Sequence, residues 1–173
     1  MQKIIKKGNF TITENKAFNE VIFNCKHILR KDDFGTWITD DMEQAYINLH
    51  KKGFARSIEV WRFLDSDRND KELVGGLYGL AIGKAFFGES MFHKVTDASK
   101  IALTALATLL NAKGFDMIDC QVTTPHLVNM GAVEVSREQF LNALTPSIER
   151  QMNPNIWDPC RPLDPLPANK EKK

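Results

Sequence analysis

Apolar residues recur along this chain in two periods, and the changes of period mark its elements. From Asn15 the spacing of Phe18, Val21, Ile22 and Cys25 is that of one helix face, after a short strand over residues 10–13. A second helix is predicted from Thr39, which with Asp40 can cap it, through Met42, Ala45, Tyr46 and Leu49 to a stop at Gly53. The period then falls to two. "ARSIEVWRFL" alternates β-forming and polar residues, "DSDRNDKE" is a charged turn, and "LVGGLYGLAI" and "KAFFGESMF" are strands joined by a tight hairpin at Gly83 and Lys84. "ASKIALTALATLLNAKG" returns to helical spacing. Its broad face is Ala98, Ile101, Ala102, Ala105, Leu109 and Leu110; Thr96 or Asp97 can cap it and Gly114 closes it. "FDMIDCQV", residues 115–122, reads as a strand. Thr124 and Pro125 then suit the N-cap and first position of a short helix ending at Gly131. A last strand and helix are predicted to about Leu144.

This order predicts an α/β fold with a mixed, largely antiparallel sheet and flanking helices. The strand after the long helix runs most simply parallel to the strand before it, by a right-handed crossover. The same order resembles the fold of the GCN5-related acyltransferases. With 173 residues the chain can bury one core, and residues 1–145 are expected to form a single domain. Residues 146–173 are expected to form a proline-rich extension that wraps the surface and frays in a charged tail.

Composition excludes more than it assigns. An apolar fraction of 43% and a charged fraction of 26% are ordinary for a globular protein. No apolar run approaches the roughly 20 residues of a membrane helix, and "MQKIIKKGNF" has no apolar stretch behind its charges, so neither a span nor a secretory signal is expected. Cys25, Cys120 and Cys160 are far apart, and His27, His50, His93 and His126 lack ligand spacing. A reducing compartment, the cytoplasm, and no metal are the expectation. Residues 1–31 hold seven basic against two acidic residues, +5, while the rest hold sixteen against twenty, −4. A basic leading segment on an acidic body suits a phosphate-binding edge, and equally a solvated terminus.

One strand ends in polar residues. Residues two apart on a strand share a face, so Asp119 and Gln121 are expected to project together and Cys120 the other way.

Four stretches, in order, carry a family resemblance: "GTWIT" (35–39), "RSIEVW" (56–61), "LVGGLYG" with "FFGESMF", and "IDCQVTTPHLVNMGA". They are similar to the motifs of bacterial leucyl/phenylalanyl-tRNA–protein transferases, from about residue 3 to 145, and "NPNIW" is similar to that family's C-terminal end. The resemblance implies transfer of Leu or Phe, with Met a further option, from charged tRNA to a protein beginning with Arg or Lys. The new N-terminal residue marks that protein for degradation. The implied partners are the aminoacyl-tRNA and the acceptor chain; no cofactor, metal or membrane is implied. A further N-terminal segment of the family, which contributes to the substrate site, is absent from this sequence, and this bears on full activity. The charged turn 65–72 is an addition of the kind loops tolerate.

The ester of an aminoacyl-tRNA is already activated, so the site must mainly position an uncharged amine. By resemblance Glu89 is a motif residue expected to hold the acceptor's α-ammonium or basic side chain; the other reading is an edge carboxylate facing water. Gln121 is expected to orient the amine through its amide oxygen, and Asp119 to take the proton directly or through water. The pair can equally close a strand end. Phe86, Phe87 and Met91 can line a pocket for Leu or Phe. Alternation puts Phe87, Glu89 and Met91 on one face and Phe86 and Gly88 on the other, unless Gly88 marks a bulge. Trp61 and Tyr78 can stack on the terminal adenosine or the substrate, or be core. Trp37 is read as core and His126 as structural. The free N–H groups at Thr124 can receive the tRNA end, and Lys3, Lys6 and Lys7 correspond to a basic cluster facing the tRNA body.

Two other readings remain. A CoA-dependent N-acetyltransferase needs a glycine-rich turn before the long helix, and "MFHKVTDASK" has no glycine. A non-enzymatic relative that binds tRNA or basic N-termini would not need Glu89, Asp119 and Gln121 together.

Overall fold

The computed structural model describes residues 9–28 and 36–150. The elements are β1 (Phe10–Glu14), α1 (Phe18–His27), α2 (Asp40–Lys51), β2 (Ala55–Phe63), β3 (Lys71–Ile82), β4 (Ala85–His93), α3 (Ala98–Ala112), β5 (Met117–Asp119), α4 (Pro125–Asn129) and α5 (Arg137–Glu149). The sheet order is β1-β2-β3-β4-β5; the first four strands are antiparallel neighbours and β5 runs parallel to β4. This is the mixed, largely antiparallel α/β sheet expected, with α3 as the crossover. Among the described residues no helix is long and apolar enough to cross a membrane. The proline-rich stretch and Lys3, Lys6 and Lys7 lie outside the described residues.

Each face of the sheet carries its own core. On one, Ile58, Val60, Val74, Leu77, Ala81 and Phe86 pack against Ile101, Ala102, Ala105, Leu106 and Leu110 of α3. On the other, Tyr78, Leu73 and Phe92 meet Phe18, Val21, Ile22 and Cys25, the α1 face read from the sequence. Full burial of a side chain such as Phe86 contributes about 1.5–3 kcal/mol. α3 lies close on the sheet because Gly75 has no Cβ: one built there would stand 2.5 Å from the Ala98 Cβ. α2 begins as expected, Thr39 Oγ1 accepting from the Met42 N–H at 3.2 Å.

Three expectations fail. Asp97 precedes α3 in a left-handed conformation, φ 68°, and does not cap it; its carboxylate accepts from Lys100 at 2.8 Å instead. A cap residue needs extended backbone to aim its oxygen at the first N–H groups. The last strand is absent. Val133 and Val135 alternate with Glu134 but are 81% and 53% exposed, and no strand pairs with them. Finally, α5 does not end near Leu144 but continues through Pro146 to Glu149. It is anchored there by the hairpin and by the residue before β5: the Lys84 N–H donates to the Ser147 carbonyl at 2.7 Å, and Ser147 Oγ donates to Asp116 at 2.9 Å.

Candidate functional site

β4 and β5 pair for only three rungs, Ala85 with Met117, Phe86 with Ile118 and Phe87 with Asp119. Past them the two chains part. Residues 88–93, 120–122 and Thr124 then border a cavity of about 950 Å³. Its wall on the α3 side is apolar, with Leu77, Met91, Leu103, Leu106 and Ile118. Glu89, Gln121, Thr124 and His126 bring polar atoms to the same space, and Tyr78 and Trp37 line it from the other side of the sheet.

Glu89 reaches the cavity through a bulge. Between β3 and β4 the register runs Tyr78 with Ser90 and then Gly79 with Gly88, so Glu89 is the extra residue opposite no partner. A bulge bends its strand and re-aims the side chain. It also reverses the alternation: Phe86 before it and Met91 after it both pack on the α3-side core, while Phe92 packs on the other. The expected shared face of Phe87, Glu89 and Met91 is therefore wrong, and a bulge at Gly88 is the reason. Gly79 makes the approach possible, since a Cβ there would stand 2.2 Å from the Phe87 carbonyl oxygen.

Tyr46 of α2, read from the sequence only as part of an apolar face, stands near enough to Glu89 for the two to interact electrostatically. Burial first, then the polar and charge interaction with the Glu89 carboxylate, push the Tyr46 phenol well above its ordinary pKa. Its ring stands edge to face with Tyr78 at 5.1 Å and with Trp37 at 6.4 Å. Trp37 is not core: it is 41% exposed. The sequence signal for both was available, a Tyr on an otherwise half-buried helix face and a Trp in a family motif, but neither spacing points across to Glu89.

Asp119 and Gln121 do not share a strand face. β5 ends at Asp119, and Gln121 turns out of line in a left-handed conformation, φ 63°. Asp119 Oδ1 accepts from the Gln121 backbone N–H at 2.8 Å, and this bond holds a backbone region that non-glycine residues seldom adopt. Gln121 and Cys120 border the cavity; Asp119 instead borders an adjoining groove between α3, β5 and α5 that those two residues also touch. Burial and then the Asp119 charge raise the Cys120 thiol pKa.

The other residues named from the sequence divide between the cavity and the rest of the fold. Phe86 is fully buried in the α3-side core, and Phe87 is half-buried outside the cavity lining. Gly88, Met91 and Tyr78 line the cavity. Trp61 stands apart from it: its Nε1–H donates to Thr13 Oγ1 at 2.8 Å, and the Lys71 ammonium lies 4.7 Å over its ring. Thr13 in turn donates to the buried Glu59 carboxylate, which also accepts from Ser57 Oγ and the Lys16 N–H. Thr124 caps α4, accepting from the Leu127 N–H at 3.2 Å. His126, in the first turn of α4, contributes to the cavity wall and keeps its Nε2 buried.

The family profile described as leucyl/phenylalanyl-tRNA protein transferase matches residues 1–145. Curated proteins named leucyl/phenylalanyl-tRNA–protein transferase are similar along most of the chain. That of Hydrogenovibrio crunogenus is 50% identical over 155 residues, 90% of this chain and 58% of the relative. That of Lawsonia intracellularis is 52% identical over 145 residues, 84% and 60% respectively. That of Pseudoalteromonas atlantica is 46% identical over 159 residues, 92% and 64%. The chain thus spans about three-fifths of the length of these relatives.

Proposed function

Since this chain belongs to the leucyl/phenylalanyl-tRNA protein transferase family, we propose that it is an aminoacyltransferase that moves Leu or Phe from charged tRNA to the N-terminal Arg or Lys of an acceptor protein. Met fits the same apolar wall. The product carries a new N-terminal residue that marks it for degradation. The fold, on this reading, is GCN5-related acyltransferase-like, and the compartment is the cytoplasm.

One observation carries the reading: a bulge brings an acidic residue into the same cavity as Gln121 and an apolar wall, where two parallel strands part. Leu77, Met91, Leu103, Leu106 and Ile118 receive the transferred side chain. Glu89 answers the positive charge of the acceptor. The Gln121 amide oxygen accepts a hydrogen bond from the attacking amine and holds its lone pair toward the ester carbonyl. The amine N–C bond forms, the ester C–O bond breaks, and the proton lost by the amine passes to the departing ribose oxygen, so no external acid or base is consumed. Asp119 serves here as a positioning residue: its Oδ1 is committed to the Gln121 N–H, in place of the proton acceptor expected from the sequence.

The test uses the purified chain, Leu-tRNA or Phe-tRNA, and peptides beginning with Arg or acetyl-Arg. Mass spectrometry is expected to find one added residue on the free peptide alone. No addition, with tRNA still bound, would replace this reading by that of a binding-only relative.

A further inference from the structure

β5 is an edge strand with one side unused. It is the last in the sheet order and pairs with β4, and among the described residues no strand pairs with its other side. Such an edge presents backbone N–H and C=O groups that can take up a further strand. Beside it runs a groove of about 1110 Å³ bordered by α3, β5, α4 and α5. Val133 and Val135 line this groove although they are exposed, and Val122 and Val128 are exposed there too. Alternating valines without a strand partner and a strand without an outer neighbour thus share one space. The groove runs into the cavity of the candidate site: Leu103, Ile118, Cys120, Gln121, Val122 and Leu127 line both. Its charged residues are Asp116, Asp119 and Glu134 against Arg137. That excess of acid repels phosphate groups, which disfavours RNA and suits a polypeptide.

We propose that this groove binds the acceptor chain beyond its first residue, as a strand added to the free edge of β5. The inference rests on the transferase reading, which makes the acceptor a polypeptide with its first residue in the cavity. The direction of the added strand follows from the layout. The cavity opens past Asp119, at the C-terminal end of β5, so the acceptor's later residues run back toward Met117, antiparallel to β5. The three residues of β5 span about 10 Å at roughly 3.3 Å per residue, room for about three acceptor residues. In an antiparallel pair only alternate residues turn their N–H and C=O to the neighbour, and side chains alternate between faces. Side chains of one face meet Val133 and Val135. Asp116, just before β5, is already taken by Ser147 at 2.9 Å and Arg150 at 3.1 Å, so that end asks for no charge on the acceptor. Pairing through the backbone reads an extended conformation more than a sequence. It admits many acceptors and rejects those with proline at the pairing positions.

The experiment is fluorescence anisotropy of the whole chain, without tRNA, with the hexapeptide Arg-Thr-Val-Thr-Val-Thr and the dipeptide Arg-Thr, each labelled at its C-terminus. Two further hexapeptides carry N-methyl groups, one on its third and fifth residues and one on its fourth and sixth. The plain hexapeptide is expected to bind about tenfold or more tightly than the dipeptide. The methylated form whose blocked amides face β5 is expected to bind about fivefold or more weakly, and the other within about twofold, the alternation of a strand edge. Val133→Ser combined with Val135→Ser is expected to weaken the hexapeptide about 3- to 20-fold, the scale of two cross-strand apolar pairs, and the dipeptide by less than about twofold. The methylated pair is read on the intact chain and so decides the matter even if the double variant folds poorly. Equal affinity for hexapeptide and dipeptide, equal effects of the two methylation patterns, or equal weakening of both peptides by a folded double variant overturns the proposal. Another occupant overturns it too: tRNA retention on filters that falls in the double variant assigns the groove to RNA, and a dimer in sedimentation that the double variant dissolves assigns it to a second copy. If the expected pattern holds but no residue is ever transferred to the hexapeptide, the groove stands as a peptide site and the transferase reading falls. If transfer proceeds and the double variant leaves the hexapeptide KM unchanged, the groove falls and the transferase reading stands.

Discussion

Glu59 and Glu89 are both carboxylates in strand interiors, and they could hardly be provided for more differently. Glu59 is wholly buried and its oxygens are filled: Thr13 and Ser57 hydroxyls donate at 2.5 Å and the Lys16 N–H at 3.2 Å. Glu89 is half-buried, stands on a bulge with the Tyr46 phenol nearby, and has a cavity opening beside it. A buried carboxylate with both oxygens hydrogen-bonded to the fold holds strands together; one that borders a cavity is open to a ligand. Glu59 ties β1 to β2 and fixes the Trp61 ring through Thr13. On the proposed function, the open side of Glu89 is where the acceptor binds.

The comparison breaks first at the cavity. Gln121→Ala is expected to lower transfer by about 100-fold or more, the scale of a lost positioning contact, while tRNA binding changes little. Filter binding beside single-turnover kinetics checks this, and a parallel loss of both would remove Gln121 from the chemistry. Next, Glu59→Leu is expected to cost about 3 kcal/mol of stability, because three donors lose their acceptor in the interior. Urea unfolding measures it, and transfer by the fraction still folded should be near normal.

Asp119 sharpens the picture further. Asp119→Asn keeps an oxygen for the Gln121 N–H and is expected to retain transfer within about fivefold, whereas Asp119→Ala is expected to lose about tenfold, one hydrogen bond's worth of positioning. A proton-accepting carboxylate would instead make Asn as damaging as Ala. The smallest effect concerns Cys120. Its thiol pKa is raised, so less thiolate is present at pH 8 than in a free cysteine, and the deficit should close as pH rises through the raised value. Alkylation of Cys120 by iodoacetamide, followed by peptide mapping, is expected to be slower than that of a model thiol at pH 8 and to gain on it as pH rises.

Where a single period decided an element, the sequence was legible. The α1 face of Phe18, Val21, Ile22 and Cys25 is buried as its spacing requires, and the Thr39 and Thr124 caps are made. Residues 132–136 show the limit: valines alternate there, yet a strand needs a partner and none is supplied. Asp119 and Gln121 looked like neighbours on a face because alternation assumes the strand continues, and the left-handed turn at Gln121 ended it. Glu89, singled out from the sequence as a site residue, lines the cavity, but its bulge reversed the faces of the residues after it, and Gly88 was the only hint. Trp37 and Tyr46 were missed because their link to Glu89 joins α2 and the segment before it to β4, and no local spacing encodes such a contact.

The most direct measurement is the acceptor saturation curve of Glu89→Gln, with an Arg-starting peptide and Phe-tRNA, beside its urea midpoint. An open, acceptor-facing carboxylate gives a KM raised by about tenfold or more, the scale of a lost charge-assisted contact, with the midpoint unmoved. An unchanged KM with a lowered midpoint would make Glu89 a second Glu59, a residue that holds the sheet, and would contradict the site described here.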